Sequence, residues 1–291
     1  MHNSLRLIAS AAVLSLSATP ALAHRQWLLP SGTVFSGTES WVTVDAAVSN
    51  DLFYADHNAM RLDNVKAWAP DGTPSEIQNG ATGRYRSTFD VKLDKPGTWK
   101  IGTASASVSG SFKVDGQDWR VGGRGGPPPG AAAPAAAPGA PPRPKSVATV
   151  ADIPANATDV KLTESSGRNE IFVTAGVPTR TAFQPTGKGL EMAPVTHPDE
   201  LVSNEVARFA FLVDGKPAPN LKVTLVPGGK RYRNNEGAVD LTTGADGVVA
   251  IKWPMAGMYW INASLTDANT STPRATQRRM SYTSTLEVLA P

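Results

Sequence analysis

His24, His57 and His197 are the three imidazoles left in this 291-residue chain once residues 1–23 are set aside. Imidazole nitrogen binds copper, nickel, zinc and iron, and it is available as a neutral donor near neutral pH. His24 has a further property. The chain opens with one basic residue, Arg6, an apolar run from Leu7 to Leu16, and then Ala21-Leu22-Ala23. That is the charged start, apolar core and small-x-small end of a secretory leader, and the core is too short to cross a bilayer as a helix. Cleavage after Ala23 makes His24 the first residue, with an α-amine beside its imidazole, so one residue offers two nitrogens to a metal.

His57 ends the turn-rich stretch Asp51-Leu52-Phe53-Tyr54-Ala55-Asp56-His57. It could supply a third nitrogen, completing a three-nitrogen brace suited to copper or nickel, with Asp56 or Asp51 as an oxygen ligand or as the acceptor behind the imidazole. The same residues also read as a solvated terminus and a loop histidine, because nothing in the sequence brings positions 24 and 57 together. His197 lies in Thr196-His197-Pro198-Asp199-Glu200. A proline directly after it favours extended backbone, and the segment reads as a surface turn with a structural histidine.

Other chemistry finds little support. No G-x-S-x-G elbow, HExxH helix or phosphate-cradling P-loop occurs, so the chain reads as a non-enzyme. Asp199-Glu200 and Asp90…Asp94 are carboxylate pairs of a kind common on exposed surfaces. Cysteine is absent, which excludes disulfides, thiolate metal sites and cysteine nucleophiles. The formal charge of +3 falls to +2 when Arg6 is removed with the leader, too little for a nucleic-acid partner. Lys230-Arg231-Tyr232-Arg233 is the densest basic cluster, and it reads as an exposed turn able to meet an anion or a protein. After the leader, no apolar run approaches the roughly 20 residues of a membrane helix, so the mature chain reads as soluble and periplasmic.

These residues need elements to hold them, and the patterning supplies strands. Trp41–Ala46, Val65–Ala69, Phe89–Leu93 and Ser111–Val114 alternate apolar and polar positions, as do Ala207–Val213, Lys222–Val226, Val248–Lys252 and Thr285–Val288. Asp71-Gly72, Asn79-Gly80, Asp115-Gly116, Asp214-Gly215 and Asp246-Gly247 punctuate them with pairs that tolerate positive φ. No long capped amphipathic helix intervenes. The Gly/Pro/Ala-rich stretch 119–146 cannot pack and reads as a disordered insertion.

A loose repeat divides the chain. Asp71-Gly72-Thr73-Pro74 precedes Pro96-Gly97-Thr98-Trp99, and Asp214-Gly215-Lys216-Pro217 precedes Ala256-Gly257-Met258-Tyr259. The expectation is an all-β chain of two tandem immunoglobulin-like or transthyretin-like β-sandwich domains.

The second half also resembles a known family. Gly187-Lys188-Gly189-Leu190-Glu191, Pro194, His197-Pro198, Leu201, Asp214-Gly215-Lys216-Pro217, Thr243 and Asp246-Gly247 carry the resemblance, with Ala23-His24-Arg25-Gln26-Trp27-Leu28-Leu29-Pro30 at the mature start. The sequence is similar to exported bacterial proteins with a domain of unknown function, associated with nickel or cobalt uptake (NikM-like). Arg25 and Gln26 stand where that family usually has acidic or aromatic residues. The resemblance implies a β-rich periplasmic protein near metal or siderophore uptake, and it places the strand Asn169–Thr174 with the first half. The boundaries are then 1–23 for the leader, 24–182 for the first domain with the insertion 119–146, and 183–291 for the second.

The functional expectation is a non-catalytic periplasmic accessory protein of metal uptake or handling (nickel, cobalt, copper or iron). Its ligands would be His24, His57 and Asp56, and its partners a metal ion or metal complex and an envelope transport protein. The alternative is a metal-free sandwich module that binds a protein partner at the cell envelope. N-terminal sequencing of the exported protein should return His24 as the first residue. A start at Ala23 would break the terminal chelate.

Overall fold

The computed structural model describes residues 24–37, 39–122 and 144–291. The leader and most of the Gly/Pro/Ala insertion lie outside the described residues. The fold is all-β, as the alternation of apolar positions requires, with short 3-10 turns as its helical content among the described residues. Three sheets form. A five-stranded sheet contains Arg25–Pro30, Ser40–Ser49, Asn58–Ala59, Gln78–Thr82 and Ser87–Leu93. A four-stranded sheet contains Leu190–Pro194, Val206–Val213, Lys216–Pro217 and Val248–Lys252. Between them runs an 11-stranded sheet.

Thr158–Ala175 organises the large sheet. It pairs antiparallel with Gly97–Val114 on one side and parallel with Ala275–Val288 on the other. Successive side chains of a strand point to opposite faces, and here each face has its own core. Ile171 and Val173 join Trp99, Ile101, Val44 and Phe89 in a cluster under the five-stranded sheet. Phe172, from the other face, joins Phe183, Phe209, Trp253, Tyr259 and Tyr282 in a cluster under the four-stranded sheet. The expected strand Asn169–Thr174 therefore serves both halves, and Phe183, placed at the domain boundary, is buried in the second core. The two cores share one continuous sheet.

The repeat has a structural counterpart. Gly97 and Gly257 each begin a long strand at positive φ, 125° and 138°. Two residues on, Trp99 and Tyr259 are buried, and each returns a polar hydrogen to the carbonyl four residues upstream. Trp99 Nε1 donates to Lys95 O at 3.1 Å, and Tyr259 Oη donates to Met255 O at 2.8 Å. A buried aromatic with a polar tip must find an acceptor, and both halves solve this in the same way.

Two expectations need correction. Residues 119–121 and 145–146 are not part of a structureless insertion. Gln117–Val121 is a strand that pairs in parallel with Lys145–Val147, over a small cluster of Phe112, Val121, Ile153 and Leu162. The sequence misled because Trp119-Arg120-Val121 abuts the glycine run directly. Asn79-Gly80 is not a turn either. It sits inside Gln78–Thr82 at a register shift, with Asn79 at φ 53°, as an extra residue in a bulge requires.

Gly102 lies where the two 18-residue strands approach each other closely. A Cβ there would stand 2.5 Å from Asn169 O, a backbone atom that cannot swing away. Gly102→Ala should therefore cost about 1–3 kcal/mol of stability in urea unfolding. Ser107→Ala, an exposed change on the same strand, should cost little.

Candidate metal-ligand site and its surroundings

Arg25–Pro30 pairs with Ser40–Ser49, with Arg25 opposite Ser49, so His24 sits at the end of that ladder beside the chain that leaves it. The turn after Ser49 is fixed from below. Trp27, 1% exposed, donates Nε1–H to Ser49 Oγ at 2.6 Å, and Ser49 Oγ donates in turn to Asp51 O at 2.6 Å. Asp56 Oδ1 accepts from Asn50 N at 2.8 Å and closes the turn from the other end. His57 follows immediately. Its ring stacks on that of His24, with centroids 3.6 Å apart and planes 7° from parallel. The structure thus brings together the two histidines that sequence alone could not.

The carboxylates have other work. Asp51 accepts from Lys230 Nζ at 2.6 Å, and this hydrogen bond raises the lysine pKa above its ordinary value. Arg25 pairs with Glu236 and lies 5.2 Å from the Trp260 ring centroid, while Trp260 Nε1 donates to Gln26 O at 3.1 Å. Lys230–Tyr232 is a 3-10 turn. Arg233 donates to the carbonyls of Gly228, Pro227 and Glu236, which ties that segment down. Among the described residues, no group of three or more His, Cys, Asp or Glu side chains is arranged to hold a metal.

His197 is not at the surface. It is 2% exposed and ties its own segment to Thr98 and Thr179. Nδ1 accepts from Asp199 N at 3.1 Å, while Nε2 lies 3.1 Å from Thr179 O and 3.0 Å from Thr98 Oγ1. Phe183 meets the ring edge-on at 5.0 Å. Asp199 accepts from Thr174 Oγ1, and Asp90 accepts from Thr43 and Asn79, so these carboxylates serve local hydrogen bonds.

The Gly187–Glu191 motif also acquires a physical role. Glu191 is 6% exposed, and its two oxygens accept from Thr186 N, Thr186 Oγ1, Gly187 N and Lys188 N at 2.8–3.3 Å. Asp214 adds Gly189 N and Arg278 Nη1. Arg168 stands 3.4 Å from Glu191 and 3.6 Å from Glu170, and Tyr282 Oη donates to Glu170 at 3.0 Å. Sequence reasoning passed over this node, although an acid three residues after a glycine-lysine pair was a signal for a carboxylate-capped loop.

The chain is thus a β-sandwich protein with two stacked histidines, His24 and His57, and a carboxylate-capped Gly-x-Gly loop. The chain belongs to the family described as Domain of unknown function (DUF4198), which matches residues 21–267. No curated protein matches it. Three solved structures are similar over most of its length. They are Escherichia coli alpha-2-macroglobulin activated by porcine elastase (11% identity, TM-score 0.22, 92% of this chain and 20% of that one), the D0-D1 domain of intimin (10%, 0.20, 90% and 97%) and the human OSCAR ligand-binding domain (11%, 0.19, 91% and 100%). The chain spans about one fifth of the length of the alpha-2-macroglobulin chain.

Replacing Glu191 by Ala leaves its backbone donors without an acceptor. At about 1.5–3 kcal/mol for hydrogen bonds to a charged group, the loss in urea unfolding should exceed that of Glu76→Ala, an exposed control. Glu191→Gln, which keeps two acceptor lone pairs, should fall between them.

Proposed function

We propose that this chain is an exported, non-catalytic accessory protein of metal handling that binds a divalent transition ion through His24 and His57. The observation that carries the reading is the stack of those rings at 3.6 Å. They are two of the three histidines after the leader, in a chain without cysteine, and they come from separate segments. Borderline ions such as copper and nickel prefer such nitrogen donors over carboxylates.

The donor set fits a metal in part. Two imidazoles make half of a four-coordinate site, and the α-amine released by cleavage after Ala23 supplies a third donor. Asp56, one oxygen engaged by Asn50, contributes the other or stands behind the imidazole as an acceptor. Ring nitrogens donate in the plane of the ring, so shared coordination asks one ring to turn out of the parallel stack. His24, exposed at the chain start, is the one placed to turn, and the half-buried His57 stays on its braced turn. A periplasmic location follows from the leader. The association with nickel or cobalt uptake rests on the family resemblance, and copper remains equally compatible with the donors.

Isothermal titration of Cu(II) and Ni(II) into protein beginning at His24 tests the reading, with circular dichroism confirming that each variant folds. His24→Ala and His57→Ala should each weaken binding by orders of magnitude, Asp56→Ala by about 10–100-fold, and His197→Ala should leave the affinity unchanged. Equal affinity in wild type and both of the first two variants, or dependence on His197 alone, would remove the site. A wild-type affinity no tighter than millimolar would transfer the argument to the metal-free, partner-binding alternative.

A further inference from the structure

Lys188 stands at the centre of the Gly187-Lys188-Gly189 turn, and charged side chains hold its backbone from several sides. Glu191 accepts from Lys188 N at 3.3 Å, Arg168 donates to Lys188 O at 3.2 Å, and Asp214 accepts from Gly189 N at 2.9 Å. Gly187 and Gly189 flank it at φ 72° and 69°, which lets the chain turn on both sides of the lysine. The lysine side chain is exposed and takes no part in this clamp.

That side chain lines a cavity of about 510 Å³, together with Ala106, Ser107, Val108 and Ser166 of the long strands. A second cavity, of about 260 Å³, shares Ala106, Ser166, Lys188 and Gly189 with it, so the lysine stands where the two meet. The other charges lining the larger cavity are engaged. Glu164 accepts from Ser271 N, Ser271 Oγ and Thr272 N. Every nitrogen of the Arg278 guanidinium donates to Asp214 or Asp267. Among the described residues, no carboxylate comes within 4.0 Å of the Lys188 ammonium. Lys188 is thus a cation with a fixed backbone and no acid partner.

These features select a ligand. One ammonium is a point charge and matches a group with a single negative charge. Phosphate sites commonly add backbone N–H donors, but the N–H groups of Gly187, Lys188 and Gly189 are taken by Glu191 and Asp214. The hydroxyls of Ser107 and Ser166 both donate and accept, as alcohol groups of a ligand do. Ala106 and Val108 offer apolar surface to its C–H face. We infer that this cavity binds a sugar acid of the hexuronate class, with its carboxylate on Lys188. A volume of this size suits a ligand of that kind. The inference goes beyond the proposed metal site and does not rest on it.

The test is isothermal titration of D-glucuronate into the full processed chain, stripped of metal and at low ionic strength. Glucose, acetate and inorganic phosphate serve as comparisons, and glucuronate should bind more tightly than any of them. Lys188→Gln should weaken glucuronate roughly tenfold, the size of one charge-assisted contact. Ala106→Leu, which fills the cavity without touching the lysine, should weaken it as well. Lys252→Gln, exposed on the Val248–Lys252 strand, should leave it unchanged. Absence of glucuronate binding, a comparison ligand that binds as tightly, or full affinity in Lys188→Gln would overturn the proposal. Because no metal is present, failure of the histidine site would not alter the result.

Discussion

The pairing of Thr158–Ala175 with both neighbours is the constraint on which the rest depends. A strand has two faces, and this one gives Ile171 and Val173 to one core and Phe172 to the other. A slip of one residue would exchange the faces and drive each set into the core shaped for the other. The register is therefore fixed twice over, from opposite sides. The consequence reaches the candidate site. His24 and His57 belong to the five-stranded sheet and its turns, while Lys230, Arg231 and Glu236 come from the chain around the second core. Asp51–Lys230, Arg25–Glu236 and Arg231–Tyr54 are possible because the shared sheet holds the two cores in register.

The junction also concentrates buried polarity. Arg168, Glu170, Glu191 and Tyr282 lie together where the long strands meet the Gly187–Gly189 loop. Burial holds the Tyr282 hydroxyl well above its ordinary pKa, and the neighbouring Glu170 charge adds to the shift. A raised folded-state pKa contributes stability below the unfolded value of about 10, and that contribution is lost as pH rises through the folded value. The carboxylates Asp240 and Asp267 act in the opposite sense. Hydrogen bonds from Lys222 and Arg278 hold them below their ordinary range, so their contribution is lost as pH falls through the folded values. Charged groups thus favour the fold between these limits.

Much of the fold was legible because period-2 alternation is local. Trp41–Ala46 and Lys222–Val226 read as strands, and they are strands. Asp115-Gly116 and Asp214-Gly215 read as tight turns, and both residues of each pair have positive φ. The length of Thr158–Ala175 was not legible, since Glu164-Ser165-Ser166-Gly167-Arg168 carries no apolar alternation and is held by ladders on both sides. The proximity of His24 and His57 was hidden for a different reason. It depends on Arg25 pairing with Ser49 and on how sharply the chain turns at Asp51–Asp56, and pairing between distant segments leaves no trace in either one. His197 looked like a surface residue because its neighbours are polar, yet those neighbours are the partners that satisfy it inside the protein.

The two histidines differ in how firmly they are held, and this bears on the chemistry open to them. His57 ends a turn braced at three points: by Ser49 through Trp27, by Lys230 on Asp51, and by Asn50 on Asp56. A ligand on such a turn has lost most of its freedom before anything binds, and the stability of the first core supports that ordering. His24 has the reverse character, since it is exposed and stands beyond the last paired residue of its strand. Stacking on His57 keeps the imidazole near its place without locking the backbone. One fixed and one adjustable donor allow a site to accept ions of different preferred geometry, at some loss of the selectivity that a rigid cage would give. The sequence change that would distinguish these roles is remote from both rings: Trp27→Phe removes the donor to Ser49 and loosens the turn beneath His57 while leaving every proposed ligand in place.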